Sequence, residues 1–246
     1  MHRIQCSEVW GGIRDADLDV CTAGLTASLY SGACEGGKGG DIYFFSLCGV
    51  DMLTRIAVAD VVGHGSEVSE ISQWVYDAMA ARMNAPEGDQ ILSDLNGLAN
   101  ARGLQAMTTA AVVEFYVKDC RLYFSYAGHP PLLVRRRVGG AWQPAQQQRR
   151  EGPVNLPLGV VDETRYVQEQ MPLCKGDRMF LYTDGLVEAP NAGGQLYGAD
   201  RLMSVLAEAG GNSLMELKTA VLADVRRHAG GRLAHDDVTL MTIEVN

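Results

Sequence analysis

Four short apolar runs of this chain begin or end on aspartate. Asp60 closes Ile56-Ala57-Val58-Ala59 and Asp184 closes Met179-Phe180-Leu181-Tyr182-Thr183, while Asp41 opens the run 42–47 and Asp236-Asp237 opens 238–245. Runs of that length, bounded by glycine and turn residues, read as strands rather than helices. One strand-terminal aspartate is an ordinary turn residue whose carboxylate bonds its own backbone. Several of them constrain the fold more heavily, because strands that pack together bring their ends together. Two carboxylates about 4 Å apart repel by about 4 kcal/mol at an effective dielectric near 20. Acids converging at one rim therefore need a positive charge among them.

The remainder of the chain frames those strands. Residues 1–18 are mixed and polar and read as an N-terminal arm, followed by a first strand over 20–30 and a glycine-rich turn from Gly32 to Gly40. The runs 42–47 and 52–59 stand at hairpin spacing. Val68, Ile71, Val75 and Met79 recur at the helical period, and a second helix is expected over 90–101. Strands return at 110–117, 122–126 and 132–136, after which a loop rich in Gln and Pro runs to Leu158. An edge strand over 166–171 and a buried strand over 178–183 precede two helices, one from Ala199 and one from Ser213. Ser213 and Glu216 form an S-x-x-E capping box ahead of the stripe Leu214, Leu217, Val221, Val225. Strand pairs with helices in two groups imply an α+β fold of two packed antiparallel sheets flanked by helices. A single structural domain is expected, with residues 1–35 packed as arm and first strand on a main body of 36–246.

Charge narrows the partners. The 246 residues carry 21 Lys+Arg against 30 Asp+Glu, a formal net charge of −9. An acidic surface repels nucleic-acid backbones and anionic headgroups, so neither nucleic acid nor membrane is expected as a partner. The basic run Arg135-Arg136-Arg137, with Arg149-Arg150, reads as a solvated hairpin edge or as a dock for an acidic partner. No apolar run approaches the roughly 20 residues that span a bilayer, and the first eight residues lack the apolar stretch of a signal peptide. A cytoplasmic protein is expected. Six scattered cysteines without C-x-x-C pairing indicate buried, reduced thiols rather than a disulfide framework or a zinc site.

With no thiolate or paired histidine beside them, the aspartates form an oxygen-only donor set suited to Mg²⁺ or Mn²⁺. Two such ions held by shared aspartates activate water for attack on a phosphoryl group, so metal-assisted hydrolysis of a phosphate ester is the chemistry expected.

Six motifs then follow one another: Gly39-Gly40-Asp41, Ala59-Asp60-Val61-Val62-Gly63-His64-Gly65, Ala127-Gly128-His129-Pro130-Pro131, Leu156-Pro157-Leu158-Gly159, Tyr182-Thr183-Asp184-Gly185-Leu186-Val187-Glu188-Ala189 and Asp236-Asp237-Val238-Thr239-Leu240. Their order resembles the SpoIIE-like branch of the PPM, or type 2C-like, protein phosphatases, over about residues 36–245. The resemblance implies an α-β-β-α sandwich with two divalent cations, Mn²⁺ or Mg²⁺, between its sheets. It also implies hydrolysis of phosphoserine or phosphothreonine by direct attack of a metal-bridging water, with no phosphoenzyme. On that resemblance Asp41, Asp60, Asp184 and Asp236 match the metal-binding acids, with Asp60 bridging and the Val61 carbonyl as a further ligand. Catalysis would rest on Asp41, Asp60 and Asp184. Asp237 is either an alternative ligand or a support behind the ligands. Gly63 and Gly65 would shape the turn, His64 would orient a water, donate a proton or simply pack against Asp60, and His129 reads as a turn histidine holding its hairpin.

Two departures accompany the resemblance. The second acid that many members carry shortly after Gly-Gly-Asp reads Phe44 or Phe45 here, and the arginine that many eukaryotic relatives place near the phosphate has no counterpart, Lys38 reading either as the substitute or as a solvated loop charge. The substrate class implied is a phosphorylated protein, by analogy a STAS-domain protein of the anti-anti-sigma type in a partner-switching circuit, with control by a separate regulatory protein, by self-association or by movement of the segment between Gly185 and the Ser213 helix. Two rival readings remain. Gly32 to Gly39 reads G-x-x-x-x-G-K-G, but it lacks both the hydroxyl after Lys38 and the following helix that a phosphate loop needs. The stronger rival is a catalytically silent phosphatase-like binding module, against which stand the four filled acid positions.

Overall fold

The computed structural model describes residues 1–246 apart from 35, 50, 51, 64–67, 86, 146 and 149. Among these, the N-terminal part forms β1 (His2–Arg3), β2 (Val9–Arg14), β3 (Ala16–Cys21), β4 (Leu25–Gly32), β5 (Lys38–Cys48) and β6 (Leu53–Val61). Helices α1 (Ser69–Ala80) and α2 (Gly88–Arg102) follow, then β7 (Thr108–Tyr116), β8 (Arg121–Ala127), β9 (Leu133–Arg135), β10 (Gln143–Pro144), β11 (Glu169–Pro172) and β12 (Arg178–Tyr182). The chain finishes with α3 (Ala199–Glu208), α4 (Leu214–His228) and β13 (Val238–Val245).

The strands make two sheets. One is seven-stranded in the order β1-β3-β4-β13-β12-β9-β10, the other six-stranded in the order β11-β8-β7-β6-β5-β2. Apart from the short parallel β1–β3 edge, all pairings between these thirteen strands are antiparallel. This is the α+β sandwich expected from the sequence.

Period-two alternation explains why central strands such as β6 read as continuous apolar runs: each successive side chain enters a different core. Tyr43, Phe45, Ile56 and Val58 meet Leu181, Met241 and Ile243 between the sheets. Their neighbours Ile42, Phe44, Ala57 and Ala59 instead face Val75 and Met79 of α1 and Ile91, Leu92 and Leu95 of α2. On the far side Phe180, Tyr182 and Leu240 pack under Leu202, Leu206, Leu217 and Val221 of α3 and α4. Each fully buried Val, Leu, Ile, Phe or Met among them contributes about 1.5–3 kcal/mol. The capping box forms, with Ser213 Oγ accepting from the Glu216 amide and Glu216 reaching back to the Ser213 amide.

Several local expectations shift. The polar residues 1–18 hold β1, β2 and half of β3 rather than an arm, because Ile4 and Ile13 are buried and Val9 to Arg14 find a partner in β5. The single strand over 20–30 is a hairpin, β3–β4, broken where the Thr22 hydroxyl caps the turn at Leu25. The edge strand over 166–171 shortens to β11, β10 interrupts the Gln-rich loop, and none of the six cysteines is buried, Cys6, Cys120 and Cys174 being exposed. Among the described residues no helix is long and apolar enough to cross a membrane.

Candidate active site

Antiparallel pairing sets where the acids meet. β5 enters and β6 leaves at one end of the six-stranded sheet, and Asp41 stands directly opposite Asp60 in their register, so both side chains lie on one face. β12 leaves and β13 enters at one end of the other sheet, which places Asp184 beside Asp236 and Asp237. The two ends are tied together. Thr183 Oγ1 donates to Asp41 Oδ2 at 2.8 Å, and the amide of Gly40 donates to Asp237 Oδ2. A side chain at Gly185 would collide with the Asp237 carbonyl, since a Cβ there would stand 2.1 Å from it. Gly63 takes φ 101° just after Val61, the left-handed turn expected of it. His64 and Gly65, expected in the same turn, lie outside the described residues, as does Arg149.

The electrostatics reflect this gathering. Burial drives the Asp41 carboxyl up to about 8; hydrogen bonds from Thr239 and Thr183 oppose that, and the charges of Asp237 and Asp236 add to it. Asp60 is also raised well above the usual carboxylate range, first by burial and then by the charges of Asp41, Asp184 and Asp236, with a hydrogen bond to Asp184 adding to it. Four acids from four strand ends thus feel one another. Asp237 differs: both of its oxygens accept backbone amides, Oδ1 from Cys34 at 2.8 Å and Oδ2 from Gly40, which pins the loop ahead of β5. Asp236 Oδ1 accepts the Asp237 amide at 2.8 Å.

Orphaned polar atoms mark the same place. Of five buried side-chain nitrogens and oxygens without a partner among the described residues, three belong to Asp41 (Oδ1), Thr109 (Oγ1) and His129 (Nε2). Thr109 sits opposite Asp60 in the β6–β7 register. His129 does hold its hairpin, as Nδ1 bonds the Pro130 carbonyl at 2.8 Å, so Nδ1 carries the proton and Nε2 is a bare acceptor. Burial pushes that imidazole down to about 4, with the Pro130 bond and the charge of Asp184 opposing. Buried polar atoms in native proteins are nearly always satisfied, and three unsatisfied ones at one rim fit a site that receives a ligand. The sequence reading missed Thr109 and Thr183. Both sit at strand ends, within Thr108-Thr109-Ala110 and Tyr182-Thr183-Asp184; Thr109 has no acid beside it in the chain, and the Asp184 next to Thr183 is not the carboxylate its hydroxyl bonds.

An oxygen-only donor set with an unpartnered buried carboxylate oxygen suits a hard divalent cation. As the side chains lie, no three His, Cys, Asp or Glu of the described residues are arranged to hold one ion. Lys38, at the start of β5, donates from Nζ to Gln73 Oε1 of α1 at 3.2 Å.

Comparison with known proteins follows this geometry. The family described as Stage II sporulation protein E (SpoIIE) matches residues 51–246. Protein IcfG of Synechocystis is 22% identical over 130 residues, which is 53% of this chain and 19% of IcfG, so the match spans about a fifth of that relative's length. The SiaA-PP2C domain of Pseudomonas aeruginosa superposes with a TM-score of 0.76 at 21% identity, covering 89% of this chain and 86% of that one. RsbX, crystallised in complex with magnesium, superposes with a TM-score of 0.69 at 18% identity, covering 94% of this chain and all of that one.

Proposed function

We propose, from the fact that this chain belongs to the SpoIIE family and is a PP2C-type phosphatase domain, that it hydrolyses phosphoserine and phosphothreonine on a protein substrate with the help of two divalent cations. The observation that carries this reading is the meeting of Asp41, Asp60, Asp184 and Asp236 from four strand ends, with a buried oxygen of Asp41 left unpartnered. In this reading those four carboxylates and the Val61 carbonyl hold Mg²⁺ or Mn²⁺, and the magnesium found with RsbX supports the choice of a hard cation. Such ions supply a water acidified to near neutral pH and positive charge opposite the phosphoryl oxygens.

The chain's own groups do the remaining work. Thr183 orients Asp41 through its hydroxyl. Asp237 is assigned to fixing the Gly39-Gly40 backbone rather than to ligation, because both its oxygens already hold amides. Neutral His129 offers Nε2 as a hydrogen-bond acceptor near Asp184. Lys38 is assigned to the substrate phosphate, exchanging its bond to Gln73 for the dianion. A STAS-domain phosphoprotein, with a separate regulatory protein, is the substrate class we carry forward.

The silent-module reading rests on one observation, the lack of three described acids arranged around one point. Phosphate release from p-nitrophenyl phosphate and from phosphorylated STAS domains with Mn²⁺ separates the two. Turnover abolished by EDTA and by Asp60→Asn is the expected result. Partner binding without turnover under any divalent metal would establish the silent module instead, and turnover of the small ester but of no STAS phosphoprotein would remove only the substrate assignment.

A further inference from the structure

At the end of the seven-stranded sheet farthest from the acids, the sign of the surface reverses. Arg135 ends β9, Arg178 opens β12, and Arg137 and Lys175 stand in the adjoining turns; together they line a cavity of about 590 Å³. Arg178 and Asp184 are six residues apart along β12, so at about 3.3 Å per residue the cavity lies roughly 20 Å from the candidate active site.

Two of the four cations are built into the wall. Arg135 donates from Nε to the Gly140 carbonyl at 3.2 Å and from a terminal nitrogen to the Gly210 carbonyl. Arg178 donates from Nε to Glu244 at 2.7 Å, and from Nη1 to the carbonyls of Gly210 at 3.1 Å and Asn212 at 2.6 Å. Carbonyl oxygens fix these guanidinium groups without cancelling their charge, and Glu244 is the carboxylate side chain in the lining. The neighbouring Asp177 is committed elsewhere, to Arg136 at 2.9 Å and to the amides of Arg137 and Cys174. The Arg137 guanidinium and the Lys175 ammonium have no hydrogen-bond or ion-pair partner among the described residues. The side chains of the lining thus carry three net positive charges around a concave space on a chain whose total is −9.

We propose that this cavity binds a small oligophosphate anion. Guanidinium forks match phosphate oxygens two at a time, and a tripolyphosphate carries enough charge to answer all the cations. A volume of this size lies within the range of small-ligand pockets. Gly176, Gly210 and Gly211 in the lining let a ligand approach the backbone. The lining contains no aromatic side chain, so nothing there would stack on a nucleobase, and the acidic remainder of the surface disfavours a long polyanion. The phosphate chain itself is the recognised element.

Titration calorimetry of the full chain, stripped of metal on chelating resin so that the acids cannot bind phosphate through a cation, tests this independently of the phosphatase reading. Sodium tripolyphosphate should bind saturably with Kd near or below about 100 μM at low salt, and about tenfold more weakly to Arg137→Ala/Lys175→Ala. Both residues are exposed, so the variant should keep the thermal midpoint of the parent. ATP should bind no more tightly than tripolyphosphate. No saturable heat at millimolar ligand, an unchanged Kd in the double variant, or a marked preference for ATP would each overturn the proposal.

Discussion

The acids of the rim make opposite demands on pH from the histidine beside them. Asp41 is raised to about 8 in the fold against 3.8 for the free group, so between those values the folded protein keeps a proton that the unfolded chain has lost. Metal-free stability should therefore fall as pH rises through that window. His129 is lowered to about 4 against 6.5, so its contribution is lost as pH falls through that range. Between pH 6.5 and 8 only the carboxyl effect operates. Thermal melts should accordingly show a lower midpoint at pH 8 than at pH 6.5 in EDTA, and a larger gain from Mn²⁺ at pH 8, because cations compete with protons for the same oxygens. Asp41→Asn should weaken both trends to the share that Asp60 still contributes, and should abolish the proposed phosphatase activity while leaving the fold in place. The carboxylates were legible in the sequence because each ends an apolar run. The hydroxyls of Thr183 and Thr109 were not, since their importance arises only from the carboxylate each meets across the fold.

Among the elements, the turn after β12 and the connection between α1 and α2 are the most tightly constrained. Gly185→Ala would drive a Cβ into the Asp237 carbonyl, which a shift of β13 alone could relieve. Denaturant melts should show a loss of about 1–3 kcal/mol, and activity should fall further than stability because Asp236 moves with that backbone. On the outer face of the six-stranded sheet the Arg55–Glu114 ion pair is fully buried, and it reaches beyond the sheet: Arg55 donates to the carbonyls of Met83 and Ala85, and Glu114 accepts from the Gly88 amide and from Gln168. Arg55→Met leaves the buried Glu114 without its counterion, which should cost about 3–5 kcal/mol in urea melts. Periodicity located α1, α2, α4 and β13 within a residue or two. It could not locate this ion pair, whose partners stand 59 positions apart in adjacent strands.

For the whole molecule, the first thirty-five residues matter most. β4 pairs along its full length with β13, whose entry carries Asp236 and Asp237, and β2 covers the edge of β5, which carries Asp41. We therefore expect a chain begun at residue 36 to expose two strand edges and the part of the inter-sheet core that Ile4, Val20, Leu25, Ala27 and Leu29 fill, and to give circular dichroism without a cooperative melt. A stable truncated domain would show that residues 1–35 are dispensable. Sequence alone determined the alternation of strands and helices, the acidic surface and the identity of the acids, because each is written in local spacing and residue type. Tertiary structure decided which strand ends share a rim, which aspartate spends its oxygens on backbone amides, and where four basic side chains gather into one cavity. Those outcomes depend on pairings between segments up to two hundred residues apart, and no local pattern encodes them.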